Sequence, residues 1–148
     1  MSNERSDAIM EEKLKHLEFI QAAISRMATN SFLFKGWSIT LAAALSGFAA
    51  IDTKSGLLII AVASTILFWG LDAYYLWLER GFIELYGQVS AKPVDAGVDF
   101  AMRPLTNGGA WSWFRIWFRP HLLFFYGAIV VVDLVAIIFV QGAVHHGS

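Results

Sequence analysis

Residues 57–80, LLIIAVASTILFWGLDAYYLWLER, form the stretch that most constrains how this chain can fold. Its first fifteen residues carry no charge, and its apolar character resumes after Asp72 and continues to Glu79. As an α-helix, residues 57–78 would extend roughly 33 Å, which is enough to cross a hydrocarbon layer of about 30 Å. A chain of 148 residues cannot cover a helix that is apolar on all sides. We therefore predict that residues 57–80 span a membrane.

Two further segments have the composition of membrane spans. Residues 32–51 are of marginal length and carry Lys35 near one end, where a lysine side chain can reach the interface. Residues 121–141 are strongly apolar but contain Asp133. The whole chain is 57% hydrophobic and only 16% charged, which is unlike an ordinary soluble domain. A polar turn at 52–56 makes the first two spans a hairpin. No cysteine is present, so disulfides and thiolate metal sites are excluded.

The N-terminal residues 1–31 are predicted to form an amphipathic helix, without a cleaved signal peptide. Its apolar residues recur at spacings of three and four: Met10, Leu14, Leu17, Ile20, Ile24 and Met27. Glu11 and Lys15 form a favourable surface pair. Three placements are open for this helix. It could pack under its own membrane domain, form a bundle with the same helix of neighbouring subunits, or lie flat on the membrane.

Residues 81–120 separate the second and third spans. Residues 81–90 continue the preceding helix, and the glycines and prolines of 91–110 indicate a loop. Residues 110–119 are predicted to form a short interfacial helix, because aromatic and basic side chains alternate there. Its anchors are Trp111, Trp113, Arg115, Trp117 and Arg119. Interleaved tryptophan and arginine could also bind a nucleic acid, although the adjacent span already accounts for the aromatic residues.

Small residues on the first span indicate close helix packing. Ser38, Ala42, Ser46 and Ala50 are spaced by four, and a second pair is formed by Ala43 and Gly47. Inside lipid, this spacing lets two helix backbones approach each other. The packing could occur within one subunit or between subunits, and the sequence does not distinguish the two.

The distribution of basic residues predicts the orientation. Ten of the eleven lysines and arginines precede or begin the first span or lie between the second and third spans, and only Lys54 lies in the first turn. The positive-inside rule therefore places the N-terminus and residues 81–120 in the cytoplasm. The turn at 52–56 and the tail at 142–148 would then face the opposite side of the membrane.

No catalytic residues, metal-ligand cluster or phosphate-binding loop are recognisable, so we expect a protein that is not an enzyme and needs no cofactor. The two aspartates within the spans are the polar residues that need an explanation. Each could have a structural partner, with Lys35 serving Asp72 and a serine or threonine of a neighbouring helix serving Asp133. Each could instead line an ion pathway or be neutralised by protonation.

Three runs in the chain are similar to a family of small three-span bacterial membrane proteins: KLKHLEFIQAAISRMATNSFLFKGWSITLAAAL, FWGLDAYYLWLER and LLFFYGAIVV. The family resembles the transmembrane effectors of anti-phage systems such as Hailong. This resemblance implies a homo-oligomeric channel that depolarises the inner membrane of an infected cell. It also implies control by a nucleotide or oligonucleotide from a partner nucleotidyltransferase. No catalytic or ligand-binding residue is carried over with it.

Together these observations predict an all-α membrane protein with an N-terminal cytoplasmic amphipathic helix, three transmembrane helices and a short interfacial helix. Three spans are too few to enclose a pore, so a channel requires a homo-oligomer, expected to be a tetramer. The candidate pore residues are Asp133, Asp72, Lys35, Ser38 and Ser46. The candidate subunit contacts are Leu14, Leu17, Ile20, Ile24, Met27, Ala42 and Gly47. We expect Asp133 to face the oligomer axis as an acidic ring. The alternative is a non-conducting adaptor that recruits a partner through its cytoplasmic helix.

Overall fold

Four α-helices make up nearly all of the computed structural model, which describes residues 2–52, 55–93, 99–106 and 108–146. The helices are α1 (Ser2–Asp52), α2 (Ser55–Ala91), α3 (Gly109–Trp117) and α4 (Pro120–His146). These residues contain no β-strand. By length and composition, α1, α2 and α4 could each cross a membrane. The predicted all-α class with three such helices is therefore confirmed.

α1 joins two elements that the sequence suggested as separate, the amphipathic helix of 1–31 and the span of 32–51. It continues without interruption for 51 residues, or about 77 Å. The change from polar to apolar composition near residue 31 does not break the backbone, because no proline lies there and Ser31 turns into the interior. Gly36 is the first glycine in α1 and could weaken the helix, but it is also helical.

The N-terminal half of α1 packs against the C-terminal half of α2, and we call this antiparallel pair the stalk. Its buried core consists of Ile20, Ala23, Phe82 and Val89. Lys13 donates hydrogen bonds from Nζ to the carbonyl oxygens of Ser90 (3.0 Å) and Lys92 (2.7 Å). A cation at this position stabilises the negative C-terminal end of the α2 dipole. The predicted helical continuation over 81–90 is present as the end of α2.

The outer face of the stalk carries the surface pair expected from the spacing of Glu11 and Lys15. Lys15 Nζ lies 2.6 Å from Glu11 Oε1, and both side chains are exposed. This hydrogen bond lowers the pKa of the Glu11 carboxyl and raises the pKa of the Lys15 amine. The two polar partners face solvent, so they leave the opposite face of α1 to contact α2.

The chain after α2 folds back across that helix before entering α4. Pro93 follows the end of α2, consistent with the restriction that a proline places on the preceding residue. The backbone N–H of Leu105 donates to the carbonyl oxygen of Gly81 over 3.1 Å. α3 starts after Gly108, whose φ of 86° suits a glycine, and Pro120 opens α4. Three predicted features extend outside the described residues: the turn at positions 53 and 54, the loop at 94–98 and 107, and the tail at 147–148.

A second buried cluster joins the middle of α2 to α3 and α4. It consists of Ala73, Ile116, Leu122 and Tyr126, with aromatic side chains packed around it. α3 is therefore attached to the bundle through its inner face, while the side chain of Trp111 remains 70% exposed. This packing positions the polar residues of α1, α2 and α4 toward one another.

Candidate functional site

A buried ion pair connects the first two predicted spans. Lys35 Nζ of α1 lies 2.5 Å from Asp72 Oδ2 of α2. The Asp72 side chain is inaccessible to solvent, whereas the Lys35 side chain is 26% exposed. The sequence left several interpretations of Asp72 open, and this contact matches the one in which Lys35 is its structural partner. It explains how a carboxylate can occupy an apolar helix, since its charge and hydrogen-bonding capacity are matched locally.

Two hydroxyl groups complete the environment of Asp72. The Ser31 hydroxyl donates to Asp72 Oδ1, and the Tyr126 hydroxyl of α4 donates to Oδ2 over 3.1 Å. Lys35 Nζ also donates to Ser31 Oγ over 3.0 Å. We call Lys35, Asp72, Ser31 and Tyr126 the polar network. Glu79, two turns further along α2, adds a second negative charge to the field at Lys35.

Sequence reasoning did not identify Ser31 and Tyr126 as members of this network. One signal was available for Ser31, because it precedes Lys35 by four residues and so lies on the same face of α1. Tyr126 belongs to a different predicted span, and its position along α2 depends on how the helices pack. The network therefore ties all three long helices to one carboxylate.

Stacked aromatic rings cover the network on one side. The ring of Trp69 lies 5.8 Å from that of Tyr126 and 5.5 Å from that of Trp117, nearly parallel to both. Trp69 Nε1 donates to the Trp117 carbonyl oxygen over 3.1 Å. These contacts fix the orientation of Tyr126, so its hydroxyl is held toward Asp72 by packing as well as by hydrogen bonding.

Asp133 lies in a second and less complete polar contact. Ser46 Oγ of α1 donates to Asp133 Oδ1 over 3.2 Å, as expected if a serine of a neighbouring helix were its partner. Oδ2 is buried and has no hydrogen-bond partner among the described residues. The side chain borders a crevice of about 260 Å³ between α1 and α4. The crevice is otherwise lined by Ile39, Ala42, Ala43, Ala128, Ile129 and Val132.

Within a single chain, the orientation of Asp133 is not the one expected for an acidic ring. Asp133 is only 1% exposed and contacts α1, so it does not face outward from the three-helix bundle. The physical reason is the hydrogen bond from Ser46 of α1, which holds the carboxylate on the side of that helix. An Asp133 that faces an oligomer axis would require α1 and α4 to separate along the crevice.

The small residues of the first span occupy two different faces. Ser38 and Ala42 are buried within the chain, and Ser38 Oγ has no hydrogen-bond partner in the part of the chain described here. Ala43 and Gly47 are exposed, and a side chain added at Gly47 would meet nothing within 4 Å. The Ser38 face therefore serves packing within the subunit, whereas the Ala43 face is open to another molecule.

The candidate subunit contacts on the N-terminal helix divide in the same way. Leu14 is exposed, whereas Ile20 is fully buried in the stalk. Leu17, Ile24 and Met27 are half-buried and pack beside the stalk core. Ile20 and Ala42 are thus buried inside the chain, Ile20 in the stalk and Ala42 at the crevice between α1 and α4. The remaining positions keep part of their surface accessible.

The anchor residues of α3 do not all face the same way. Trp113 and Trp117 pack on α2, and Trp113 Nε1 donates to the Gly70 carbonyl oxygen over 3.4 Å. Trp111, Arg115 and Arg119 are exposed. The predicted helix is present at Gly109–Trp117. Trp113 and Trp117 therefore hold this helix to the bundle, whereas Trp111 remains accessible.

The chemistry available to this arrangement is charge pairing and hydrogen bonding. Within the described ranges, no group of three histidines or acidic residues is placed to hold a metal ion. No protein family, curated protein or solved structure matches the chain. A functional interpretation therefore rests on the polar residues of the three long helices.

Proposed function

We propose that this protein is the subunit of a homo-oligomeric ion channel in the bacterial inner membrane. The observation that carries the proposal is the unpaired carboxylate oxygen of Asp133 beside an apolar crevice. An aspartate at the centre of a span costs about 2.5–3.5 kcal/mol on insertion scales. A single hydrogen bond from Ser46 offsets only part of that cost. Residues of this kind commonly mark ion pathways.

The exposed surface of α1 supports assembly into oligomers. Ala43 lines the crevice and lies one turn from Gly47, so small residues lie on the outer surface beside Asp133. Close approach of a second copy along this face would bring its helix next to the carboxylate. Since three spans cannot enclose a pore, conduction would occur between subunits of a closed ring, most simply a tetramer.

Control by a nucleotide or oligonucleotide, and a role as an effector of anti-phage defence, form the rest of the proposal. Both rest on the resemblance of the three sequence runs described above. The ten-to-one distribution of basic residues supports a cytoplasmic stalk, which would place the N-terminal half of α1 on the side where such a signal is produced. A partner nucleotidyltransferase would be the source of that signal.

A non-conducting membrane adaptor is the second candidate. It is favoured by the polar network, in which Lys35 and Asp72 neutralise each other and leave no open charge. It is also favoured by the length of the stalk. α1 is about 77 Å long, so the stalk extends well beyond a hydrocarbon layer of about 30 Å. An adaptor would use that surface to recruit a partner protein.

Flux through liposomes distinguishes the two candidates. The purified chain should conduct cations in preference to anions, and it should elute as a discrete oligomer in a sizing measurement. Asp133→Asn keeps the shape and an acceptor for Ser46, so it should assemble normally but lose flux or cation preference. Ser64→Ala is the matched control, because the Ser64 hydroxyl donates to the Ile60 carbonyl oxygen of its own helix. A wild-type chain that assembles without conducting would favour the adaptor, and an unchanged Asp133→Asn channel would exclude the acidic ring.

A further inference from the structure

A second cavity lies apart from the polar network, where α2, α3 and the start of α4 meet. Its volume is about 480 Å³, within the usual range for small-molecule sites. Three arginines from three different elements line it: Arg80 of α2, Arg115 of α3 and Arg119 at the junction with α4. We call this the arginine cavity.

The charge of the cavity is positive. Glu84 also lines it, so its three arginines and one glutamate give a net charge of +2. Pro120, the first residue of α4, forms part of the wall, and the positive end of a 27-residue helix therefore adds to the field.

The walls of the cavity are fixed by packing between separate elements. A Cβ added at Gly81 would lie 2.9 Å from Pro104 Cβ, so only glycine lets the segment at 104–106 lie this close to α2. On the other side, Trp77 Nε1 donates to Ser112 Oγ over 2.6 Å and joins α3 to α2. The backbone arrangement thus brings the three arginines to one cavity.

The chemistry of the lining selects a phosphate. The guanidinium fork donates two parallel hydrogen bonds to the oxygens of a phosphate, and several arginines can share one such group. Hydroxyl groups of Thr106 and Ser112 supply further polar lining. Arg80 ends the predicted second span, and the exposed side chains of Trp111 and Phe118 lie on the adjoining helix junction. Such a position corresponds to the level of lipid phosphates at a membrane interface.

We propose that the arginine cavity binds a phosphate-bearing anion. Two sources share this chemistry, the headgroup of an anionic phospholipid and a soluble phosphate compound. The proposal does not depend on ion conduction, because its measurement is binding alone.

The test uses the full chain in phosphatidylcholine nanodiscs, with binding followed by tryptophan fluorescence, since Trp77 lines the cavity. One arm adds dihexanoyl phosphatidylglycerol, and the other adds pyrophosphate. We expect saturable binding in at least one arm, and the arm that binds identifies the source. Arg115→Gln and Arg119→Gln should each weaken that binding about tenfold, as expected for the loss of a charge-assisted hydrogen bond.

Arg103→Gln is the matched control, because Arg103 is exposed, lies on the same segment of the chain and does not line the cavity. It should change the affinity less than twofold. Near-ultraviolet circular dichroism verifies that each variant retains its packed tryptophans. The proposal is overturned if neither probe binds, or if Arg103→Gln weakens binding as much as the two cavity variants do.

Discussion

Removal of the cation from the polar network is the most direct test of how the three long helices are held together. Lys35→Met keeps the aliphatic length of the side chain but deletes the charge that lies 2.5 Å from Asp72. The carboxylate then remains in a position inaccessible to solvent. Loss of one member of a buried pair typically costs about 3–5 kcal/mol of folding free energy.

The structure places Lys35→Met at the lower end of that range. Ser31 and Tyr126 still donate to the carboxylate, and Lys35 is itself partly exposed, so part of its charge is already solvated. We expect a loss of about 3 kcal/mol in the free energy of unfolding, or roughly a hundredfold in the folding equilibrium. Asp72→Leu should cost about 2 kcal/mol, because it leaves the buried hydroxyls of Ser31 and Tyr126 without their acceptor.

The double variant separates the pair from its surroundings. With both charges gone, what remains is the loss of the carboxylate acceptor by the Ser31 and Tyr126 hydroxyls, as in Asp72→Leu alone. Lys35→Met/Asp72→Leu should therefore also cost about 2 kcal/mol rather than the additive 5 kcal/mol. The resulting coupling energy of about 3 kcal/mol is large for a single pair.

Reversible unfolding in mixed detergent micelles measures these differences. Tryptophan fluorescence is a suitable signal, since Trp69 stacks on Tyr126 and should lose that contact on unfolding. Glu11→Gln alters only an exposed pair and should leave the midpoint unchanged. Additivity of the two single variants within about 0.5 kcal/mol would refute the argument, because it would mean that the two charges do not stabilise each other.

Three further predictions concern packing and orientation. Gly70→Ala should weaken the attachment of α3 and destabilise the fold by about 1–3 kcal/mol, because the new Cβ would lie 2.8 Å from the Trp117 ring. In the same unfolding measurement, Gly87→Ala should be neutral or stabilising, because its new Cβ would meet nothing within 4 Å. Ile20→Ala should lower the free energy of unfolding by about 2–5 kcal/mol, whereas Leu14→Ala, at an exposed site, should change it little. Reporter fusions should place the N-terminus in the cytoplasm and the C-terminus in the periplasm; activity of a C-terminal reporter that works only in the cytoplasm would contradict this orientation.

Several features of the fold were accessible from sequence because they depend on local composition. The apolar length of residues 57–80 requires a long helix, and the alternation of tryptophan and arginine in 110–119 predicts the short helix that is present as α3. α1 continues through the boundary placed near residue 31. A change in side-chain polarity does not interrupt helical hydrogen bonding, so the backbone has no break there.

The site was only partly predictable, for a different reason. Lys35 and Asp72 were natural partners, since each was an isolated charge in an apolar segment. The faces of the helices were harder to assign. In a soluble protein the polar face of a helix identifies its exterior, but in a span both the lipid-facing and the buried faces are apolar. The sequence could therefore not show that Ala42 faces inward and Ala43 outward.

The sequence by itself determined that the chain is helical, that three segments are long and apolar enough to span a membrane, and that its basic residues are strongly asymmetric. Only the tertiary structure decided which polar atoms meet. Ser31 and Asp72 are 41 residues apart, Ser46 and Asp133 are 87 apart, and the arginine cavity combines three elements. These contacts depend on the register and crossing of packed helices, where a shift of one residue rotates a side chain by about 100° and separates the partners.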